Sequence, residues 1–374
     1  MRALCQETEM RHTLLYFSSD ILNVFGMASM RYIKVGSTGA YSSVLAFGAM
    51  TFGTKNTMQL AGVNQELANK MVKECIDAGI NFFDTADVYD EGGSETLLGN
   101  ALKDYREQVL LATKVRGKMG PGINSVGLSK HHIEISIKKS LERLKTDWVD
   151  FYQFHSWDAH VPLSESIEAM QGLVDQGKVL YPGVSNFSAW QMAYLQAQCE
   201  AKGYSRYHTA QMNYSLLNRD IEHEVYPFLS YSNMTLLVWS PLHGGILSGK
   251  YDKDSQPKPG TRMASRGGVW GKDNFPPFDF EKGFSVVEKV KEIAKEQDAT
   301  PAQVSLSWLL SRKNIIILGA KTIEQLKENI AALDVNLTKQ QLEELDSITK
   351  PKIMYPNWMI ERQASRGREF SKVE

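Results

Sequence analysis

Short apolar runs alternate with segments of helical period along most of this chain, beginning near residue 44. The runs are apolar almost throughout, as expected for parallel strands that are buried on both faces of a sheet. In segment 129–144, by contrast, Ile133, Ile137 and Leu141 recur every four residues, which is typical of a helix with one apolar face. The predicted strands cover residues 44–48, 80–84, 109–114, 148–155, 178–186, 209–213, 235–240 and 314–320.

These runs make about eight strand–helix units, and most of them repeat at roughly 30 residues, the scale of a βαβ crossover. Eight such units fit a closed barrel better than an open sheet. We therefore predict an α/β protein with the (β/α)8 TIM-barrel fold. The predicted helices lie around residues 68–75, 94–103, 129–144, 163–175, 188–201, 219–230, 283–297 and 322–333.

Two segments depart from the repeat. Residues 32–47 hold a Gly-rich turn between strand-like runs, which predicts an N-terminal β-hairpin that closes the bottom of the barrel. The loop from about 243 to 282, after the seventh predicted strand, contains GG, PKPG, RGG and PP. It is too long for a plain strand–helix connection and is predicted to be a lid or a cofactor clasp. Ser129 predicts one helix start, and Thr322 with Gln325 has the spacing of a capping box.

The repeat also predicts the domain organisation. We expect one barrel domain at 31–350, a variable N-terminal extension at 1–30 and a C-terminal tail at 351–374. Residues 14–29 are fairly apolar, but Asp20 interrupts them, so they make a poor secretory signal. The tail is polar, which predicts a loosely held segment.

The composition of the 374-residue chain argues against some classes of binding partner. Its formal net charge is −1, so no global basic field recruits nucleic acid or an anionic membrane. No apolar run approaches the roughly 20 residues that are needed to cross a bilayer. Three widely spaced cysteines form neither a CxxC pair nor a disulfide framework, which favours a reducing compartment. We therefore expect a cytoplasmic protein, and the sequence leaves open whether it forms a homo-oligomer.

The candidate chemistry lies where predicted strands end, the rim that carries the active site of an α/β barrel. Asp84 ends one strand and Tyr89 follows five residues later; Lys114 ends the next strand and His155 the one after. A buried lysine needs a counter-charge, which Asp84 can supply. A nearby cation lowers the pKa of a phenol below its ordinary value of about 10. Tyr89 is therefore a candidate general acid.

His155 has three interpretations. It can be an ordinary core histidine, or it can orient a carbonyl oxygen beside Tyr89 and stabilise the negative charge that grows there. The segment HSWDAH also imitates metal-ligand spacing, but Asp158 and His160 fall in a loop, so we predict no metal site. Since no GxGxxG follows the first strand and no GxSxG occurs, a Rossmann dinucleotide site and serine hydrolysis are unsupported.

Taken together, the motifs FFDTADVY, LATKV, VDFYQFH and GVSNF resemble the aldo-keto reductase superfamily, from about Tyr32 to about Leu345. The resemblance implies a (β/α)8 barrel that binds NADP(H) without a Rossmann fold and reduces aldehydes and ketones. The catalytic tetrad would be Asp84, Lys114, Tyr89 and His155. The segment SPLHGGILSGKY is similar to the branch of aryl-alcohol dehydrogenases, general-stress proteins and potassium-channel β subunits.

The resemblance also implies a set of cofactor contacts. Three groups of residues would hold the nicotinamide, the pyrophosphate and the adenosine of the cofactor. Lys321, near a helix start, would pair with a 2′-phosphate, which favours NADP over NAD. The implied cofactor-binding residues are Ala49, Met50, Ser185, Asn186, Gln211, Trp239, Ser240, Leu242, Gly244, Lys250, Arg262, Gly319, Lys321, Gln325, Glu328 and Asn329. His243 replaces a small residue that is common in the family and would tune cofactor release or contact phosphate.

We expect a small-molecule carbonyl substrate. The predicted pocket is built from Met50, Tyr89, Trp157 and Trp270, which are large and apolar, so aromatic or medium-chain aldehydes fit best. The predicted enzyme is an NADP-dependent aldo-keto reductase of the alcohol dehydrogenase type. One alternative is an NADP-binding sensor of the channel β-subunit type, although His155 favours an active reductase because those subunits tend to lack it. Another is a barrel isomerase or aldolase that uses Lys114 as a Schiff base.

Overall fold

Eight parallel strands close into a barrel, which confirms the predicted fold class. The computed structural model describes residues 30–55, 62–251, 253–254 and 276–364. Each barrel strand pairs with the next along the chain, and the last pairs with the first. The strands are β3 (Leu45–Gly48), β4 (Phe82–Asp84), β5 (Leu110–Val115), β6 (Val149–Phe154), β7 (Val179–Ser185), β8 (Thr209–Asn213), β9 (Thr235–Trp239) and β10 (Ile315–Leu318).

A two-stranded antiparallel hairpin, β1 (Tyr32–Lys34) and β2 (Tyr41–Ser43), precedes the barrel as predicted. Its turn lies against the N-terminal ends of the strands. The Gly36 amide donates to Thr235 Oγ1 at the start of β9 over 2.7 Å, and the Ser37 hydroxyl lies 3.1 Å from Nδ1 of His208, just before β8. The hairpin therefore covers the barrel end opposite the predicted active site.

Helices surround the barrel, and most of them bury one apolar face. In α3, Ile133, Ile137 and Leu144 are buried at helical spacing, and the Ser129 side chain accepts from the His132 amide at the helix start. The helices are α1 (Gln65–Asp77), α2 (Gly93–Leu102), α3 (Lys130–Leu144), α4 (Leu163–Asp175), α5 (Ala189–Lys202), α6 (Val225–Ser232), α7 (Phe280–Glu296), α8 (Pro301–Leu310), α9 (Ile323–Ile330), α10 (Lys339–Thr349) and α11 (Asn357–Ala364).

Several element predictions need correction. The helix predicted at 219–230 begins only at Val225, after a separate 3-10 turn at Asp220–Glu222. The capping box predicted at Thr322 is half formed: its side chain accepts from the Gln325 amide, but Gln325 Oε1 accepts from the Lys321 amide instead of the Thr322 amide. Helices α8, α10 and α11 have no counterpart in the sequence prediction, and α11 lies in the tail that was expected to be loosely held.

The missed helices α8 and α10 each begin with a capping box, Thr300 with Gln303 and Thr338 with Gln341, a signal that the sequence contains. Helix α8 is buried almost all round, so its sequence PAQVSLSWLL shows no polar face. Helix α10 buries Gln341, Leu345 and Thr349, and its Asp346 Oδ1 accepts from Arg219 Nη1 at 3.2 Å and from Trp308 Nε1 at 3.0 Å. These contacts, unlike the capping boxes, form only when distant parts of the chain meet.

Among the described helices, none is both long and apolar enough to cross a membrane. The division into extension, barrel and tail stays a prediction, because residues 1–29 and 365–374 lie outside the described residues. Most of the predicted lid at 243–282 also lies outside them, since the description stops at 254 and resumes at 276.

Close packing of α2 on α3 makes Gly99 a sensitive position. A Cβ there would lie 2.6 Å from backbone atoms of Leu144, which cannot move aside as a side chain can. We expect Gly99→Ala to lower the free energy of unfolding by about 1–3 kcal/mol through overpacking. Gly172 in α4 is the matched control, because its Cβ would meet nothing closer than 3.9 Å. There the gain in helix propensity should stabilise the protein by up to about 1 kcal/mol. Urea unfolding that gives the same sign for both variants would contradict this packing.

Candidate active site

A buried ion pair forms the centre of the barrel mouth. Lys114 Nζ lies 2.6 Å from Asp84 Oδ2 and also donates to the Thr85 carbonyl oxygen over 2.8 Å. The other carboxylate oxygen, Oδ1, accepts from Gln153 Nε2 at 3.2 Å and from Gln211 Nε2 at 2.8 Å. Lys114 is 0% and Asp84 3% exposed. The carboxylate is therefore held by groups from three strands besides its own.

Lys114 carries its proton despite complete burial. Burial alone would lower the pKa of this amine, but the charges of Asp84 and Tyr89 and the hydrogen bonds to both outweigh it and leave the pKa raised. An ammonium thus sits at the C-terminal ends of β4 and β5, where the register aligns Asp84 with Ala112.

Tyr89 brings its phenol to this ammonium. Its oxygen lies 3.4 Å from Lys114 Nζ, and the ring centroid lies 5.0 Å from the same nitrogen. The tyrosine begins a tight turn in which Asp90 and Glu91 adopt positive φ angles of 51° and 55°. Asp90 Oδ2 stabilises this strained turn by accepting from the amides of Thr54 and Lys55. The backbone therefore fixes the position of the phenol.

His155 faces the same phenol from β6. Its amide donates to the Val115 carbonyl over 2.9 Å, and its ring meets the Tyr89 ring edge-on, with centroids 5.7 Å apart and planes at 81°. Burial lowers the pKa of His155 to about 3, with further lowering by the charges of Lys114 and Arg116. The imidazole is therefore neutral at working pH and can donate one hydrogen bond.

Asn186 links the ends of four strands. With a positive φ of 56°, it donates from Nδ2 to the His155 carbonyl over 3.0 Å and to Ser185 Oγ over 2.8 Å. Its Oδ1 accepts from Trp239 Nε1 at 3.0 Å, and Ser185 Oγ donates to the Gln211 carbonyl over 2.9 Å. The predicted nicotinamide contacts therefore form one connected network beside the tetrad.

The chain after β9 forms a compact turn at the predicted pyrophosphate segment. Ser240 has φ 54°, and its Oγ accepts from the Gly244 amide at 3.0 Å. Leu242 accepts from the Gly245 amide at 2.8 Å, and Lys250 lies so close to Gly245 that a Cβ there would be 3.1 Å from Nζ. These contacts place Ser240, Leu242, Gly244 and Lys250 in one turn at the rim.

His243 in this turn has protein partners on both ring nitrogens. Nδ1 lies 3.1 Å from Ser215 Oγ and Nε2 lies 3.2 Å from the Pro276 carbonyl oxygen, while the ring packs edge-on against Phe278. The buried ring thus joins three separate parts of the chain, which gives it a structural role that the sequence did not reveal.

The predicted adenosine contacts gather at the end of β10 and on α9. Gly319 is exposed, and no atom lies within 4 Å of the place where its Cβ would be. Asn329 Nδ2 donates to the Gly319 carbonyl over 3.4 Å, and Gln325 Oε1 accepts from the Lys321 amide at 2.9 Å. Glu328 is exposed beside them. The five residues lie together at this rim, and all but Asn329 are at least partly exposed.

Of the remaining predicted site residues, three are among the described residues and two are not. Ala49 and Met50 form a short turn after β3, where Ala49 is buried and Met50 half-buried. Trp157 is half-buried beyond His155, with its ring 5.4 Å from that of Phe187. Arg262 and Trp270 lie outside the described residues.

The metal interpretation of HSWDAH finds no support in the part of the chain that is described. Asp158 caps its own loop, since Oδ2 accepts from the Leu128 amide at 2.9 Å and Oδ1 from the His160 amide at 3.0 Å. No group of three metal-ligating side chains occurs among the described residues.

Sequence analysis missed two site residues. Gln153 donates to Asp84, and its signal was a polar residue two positions before His155, so that both face the same side of the strand. Arg116 lowers the pKa of His155, but it lies just beyond β5 with a φ of 146°. Alternation along a strand would therefore have found Gln153 and not Arg116.

A second buried polar cluster lies behind Tyr89. Glu95 accepts from Thr113 Oγ1 at 2.6 Å and from Arg143 Nε at 2.7 Å. Neither carboxyl oxygen of Asp87 nor the Tyr152 hydroxyl has a hydrogen-bond partner among the described residues. Burial, followed by the charge of Glu95, raises the pKa of Asp87 to about 8, against smaller lowering effects that include Arg143 and Lys114.

Comparisons with known proteins agree with this geometry. The profile of the Aldo/keto reductase family matches residues 44–350. An uncharacterized oxidoreductase, YrpG of Bacillus subtilis (strain 168), is 35% identical over 85% of this chain and 96% of its own length. A probable voltage-gated potassium channel subunit beta of Oryza sativa subsp. japonica is 33% identical over 86% of this chain and 98% of its own. The putative aryl-alcohol dehydrogenase AAD14 of Saccharomyces cerevisiae is 30% identical over 87% of this chain and 88% of its own.

Asp87 should make stability depend on pH. Its pKa is about 8 in the folded protein against an ordinary 3.8, so the folded state keeps a proton that the unfolded state releases between those values. This stabilisation is complete below about pH 4 and is lost as the pH rises through about 8, by up to about 1.4 kcal/mol per pH unit. We expect the melting temperature of Asp87→Asn, relative to that of the parent protein, to increase as pH rises from 4 to 8.

The exposed Asp104 provides the control, because Asp104→Asn removes the same charge at the surface. Its melting temperature should differ from that of the parent protein by a similar amount at every pH. A difference for Asp87→Asn that stays constant across the range would show that this carboxyl titrates alike in both states.

Proposed function

Because the chain belongs to the aldo/keto reductase family, we propose that it is an NADP(H)-dependent oxidoreductase that reduces aldehydes and ketones to alcohols. Aromatic or medium-chain aldehydes are the proposed substrates. The observation that carries the proposal is the convergence at Lys114: one buried ammonium contacts the Asp84 carboxylate at 2.6 Å and the Tyr89 phenol at 3.4 Å, with the His155 ring against that phenol.

Each member of this group has a distinct role in the proposed reaction. Bound NADPH supplies a hydride to the carbonyl carbon. Tyr89 donates its proton to the carbonyl oxygen, and protonated Lys114 stabilises the negative charge that develops on the phenol. Asp84 keeps Lys114 charged and in place. The neutral His155 donates a hydrogen bond to the carbonyl oxygen and so aligns it with Tyr89.

The network beside the tetrad suits a nicotinamide carboxamide. The Ser185 hydroxyl and the Asn186 amide oxygen each accept one hydrogen bond and keep a second lone pair for the carboxamide NH2 group. Gln211 uses Nε2 on Asp84, which leaves its oxygen as the acceptor. The Trp239 indole, fixed at Nε1, would pack on the flat ring. These residues therefore orient the cofactor beside Tyr89.

The remaining contacts give the proposed order of the cofactor along the rim. Ser240, Leu242, Gly244 and Lys250 would hold the pyrophosphate. The open rim of Gly319, Lys321, Gln325, Glu328 and Asn329 would hold the adenosine, in a place where Gly319 leaves room for it. The Lys321 ammonium near the start of α9 would pair with the 2′-phosphate, which supports NADP over NAD.

The proposed substrate pocket lies between Met50, Tyr89 and Trp157. The half-buried Trp157 packs edge-on against Phe187 with ring planes at 80°, so it offers a rigid aromatic wall close to His155. An aromatic aldehyde would pack on such a wall with its carbonyl toward Tyr89.

A second candidate is an NADP-binding sensor with slow chemistry. It is favoured by the 33% identity to a protein named as a potassium channel subunit beta. The two candidates differ in the rate at which bound NADPH is oxidised. Stopped-flow oxidation by 4-nitrobenzaldehyde that is fast supports the reductase, whereas a tightly bound cofactor that persists through many substrate additions supports the sensor.

Tyr89→Phe tests the catalytic role directly. Loss of the phenolic proton should lower the rate of NADPH oxidation by about 10²–10⁴-fold, the usual contribution of a positioned acid. NADPH binding should stay largely intact, because the ring is retained. Single-turnover rates and equilibrium NADPH titration measure the two effects.

Tyr152→Phe is the matched control, since it removes a buried hydroxyl that has no partner among the described residues and lies outside the proposed site. Its single-turnover rate should equal that of the parent protein. Loss of NADPH binding in Tyr89→Phe with an unchanged single-turnover rate would refute the role of Tyr89 as the acid.

The proposed NADP preference depends on Lys321. We expect Lys321→Ala to raise the KM for NADPH about 10-fold or more and to change the KM for NADH little, because only NADPH carries the 2′-phosphate. Lys327→Ala is the control: this exposed lysine of the same helix pairs with Glu74 over 3.4 Å. Equal effects of Lys321→Ala on both cofactors would exclude a 2′-phosphate contact.

A further inference from the structure

Arg116 lies at the barrel mouth in a strained conformation that its side chain does not explain. It follows β5 two residues after Lys114, and its φ is 146°, a region that normally belongs to glycine. Its carbonyl accepts from the Gly127 amide at 3.0 Å, which closes the loop between them. Strain of this kind persists where a residue serves the site rather than the stability of the fold.

The guanidinium is anchored on one side only. Arg116 Nε donates to the Trp157 carbonyl over 3.1 Å, and this is the one hydrogen bond that the described residues give the side chain. Both terminal nitrogens therefore remain as donors, in the fork geometry that binds a carboxylate through two parallel bonds. The anchor also fixes the fork next to Trp157, the proposed aromatic wall.

The charge of Arg116 lacks a counter-ion among the described residues. Arg106, Arg143 and Arg219, by contrast, each pair with a carboxylate within 3 Å. Arg116 is half-buried, and its charge helps to keep His155 neutral. A half-buried cation beside the reacting groups, with donors to spare, is the arrangement expected where the anion arrives with the substrate.

We propose that Arg116 binds an anionic group of the substrate, so that the preferred substrates are aromatic aldehydes that carry a carboxylate. The inference rests on the proposed function. The carbonyl lies between Tyr89 and His155, the aromatic ring packs on Trp157, and the carboxylate meets the Arg116 fork.

Matched substrates test this specificity. 4-Formylbenzoate and its methyl ester present the same aldehyde and ring, but only the former is charged. The parent protein should show a higher kcat/KM for the acid, and Arg116→Gln should lower the ratio of acid to ester by about 10- to 100-fold, the effect expected for hydrogen bonds to a charged group. Arg116→Lys should recover only part of the ratio, because it keeps the charge and loses the fork.

Lys118→Gln is the matched control, since it removes the same charge from an exposed residue two positions along the loop. Its acid-to-ester ratio should equal that of the parent protein. An equal loss of kcat/KM for acid and ester in Arg116→Gln would overturn the proposal in favour of a role in loop positioning. A raised KM for NADPH with an unchanged ratio would overturn it in favour of a cofactor phosphate.

A binding measurement separates this inference from the proposed reaction. Quenching of tryptophan fluorescence by 4-formylbenzoate can be followed in the full-length chain without turnover. Weaker binding to Arg116→Gln than to Lys118→Gln supports the carboxylate site even if neither aldehyde is reduced. Identical binding to both variants overturns the inference, and absence of NADPH-dependent reduction of either aldehyde counts against the proposed function alone.

Discussion

The site depends on a charge that burial opposes. Lys114 is completely enclosed, and desolvation alone would favour its neutral amine. The Asp84 carboxylate 2.6 Å away reverses that preference, so a proton stays on the nitrogen beside the Tyr89 phenol. Removing one partner of such a pair leaves an uncompensated charge in the interior. The proposed chemistry at the barrel mouth therefore exists only while both partners are present.

Much of the fold was readable from local pattern, and the reasons are physical. All eight barrel strands appeared as short apolar runs because both of their faces are buried, and β8 was predicted with the bounds Thr209–Asn213 that the structure has. Amphipathic helices such as α3 and α4 appeared as well. Helix α8 was missed because it is buried almost all round and shows no polar face. Helix α10 was missed although its sequence opens with the capping-box residues Thr338 and Gln341.

The candidate site, like the fold, was predictable from the sequence only in part. Asp84, Lys114 and His155 end predicted strands and Tyr89 lies in the loop after Asp84, so their convergence followed from the barrel itself. What the sequence could not show is how the side chains bond each other: that Gln153 shares Asp84, that Asn186 joins Trp239 to His155, and that His243 turns both nitrogens toward protein partners. These arrangements depend on side-chain directions that residue order does not fix. The φ of 146° at Arg116 is hidden for another reason, because a residue other than glycine is expected to avoid that region.

Asp84 also connects strands across the barrel interior. Its second oxygen accepts hydrogen bonds from Gln153 of β6 and Gln211 of β8. The carboxylate that keeps Lys114 charged therefore also connects strands that are not neighbours in the barrel. In descendants that abandon the chemistry, substitutions should accumulate first at the phenol and the imidazole, while the carboxylate persists because the architecture still requires it.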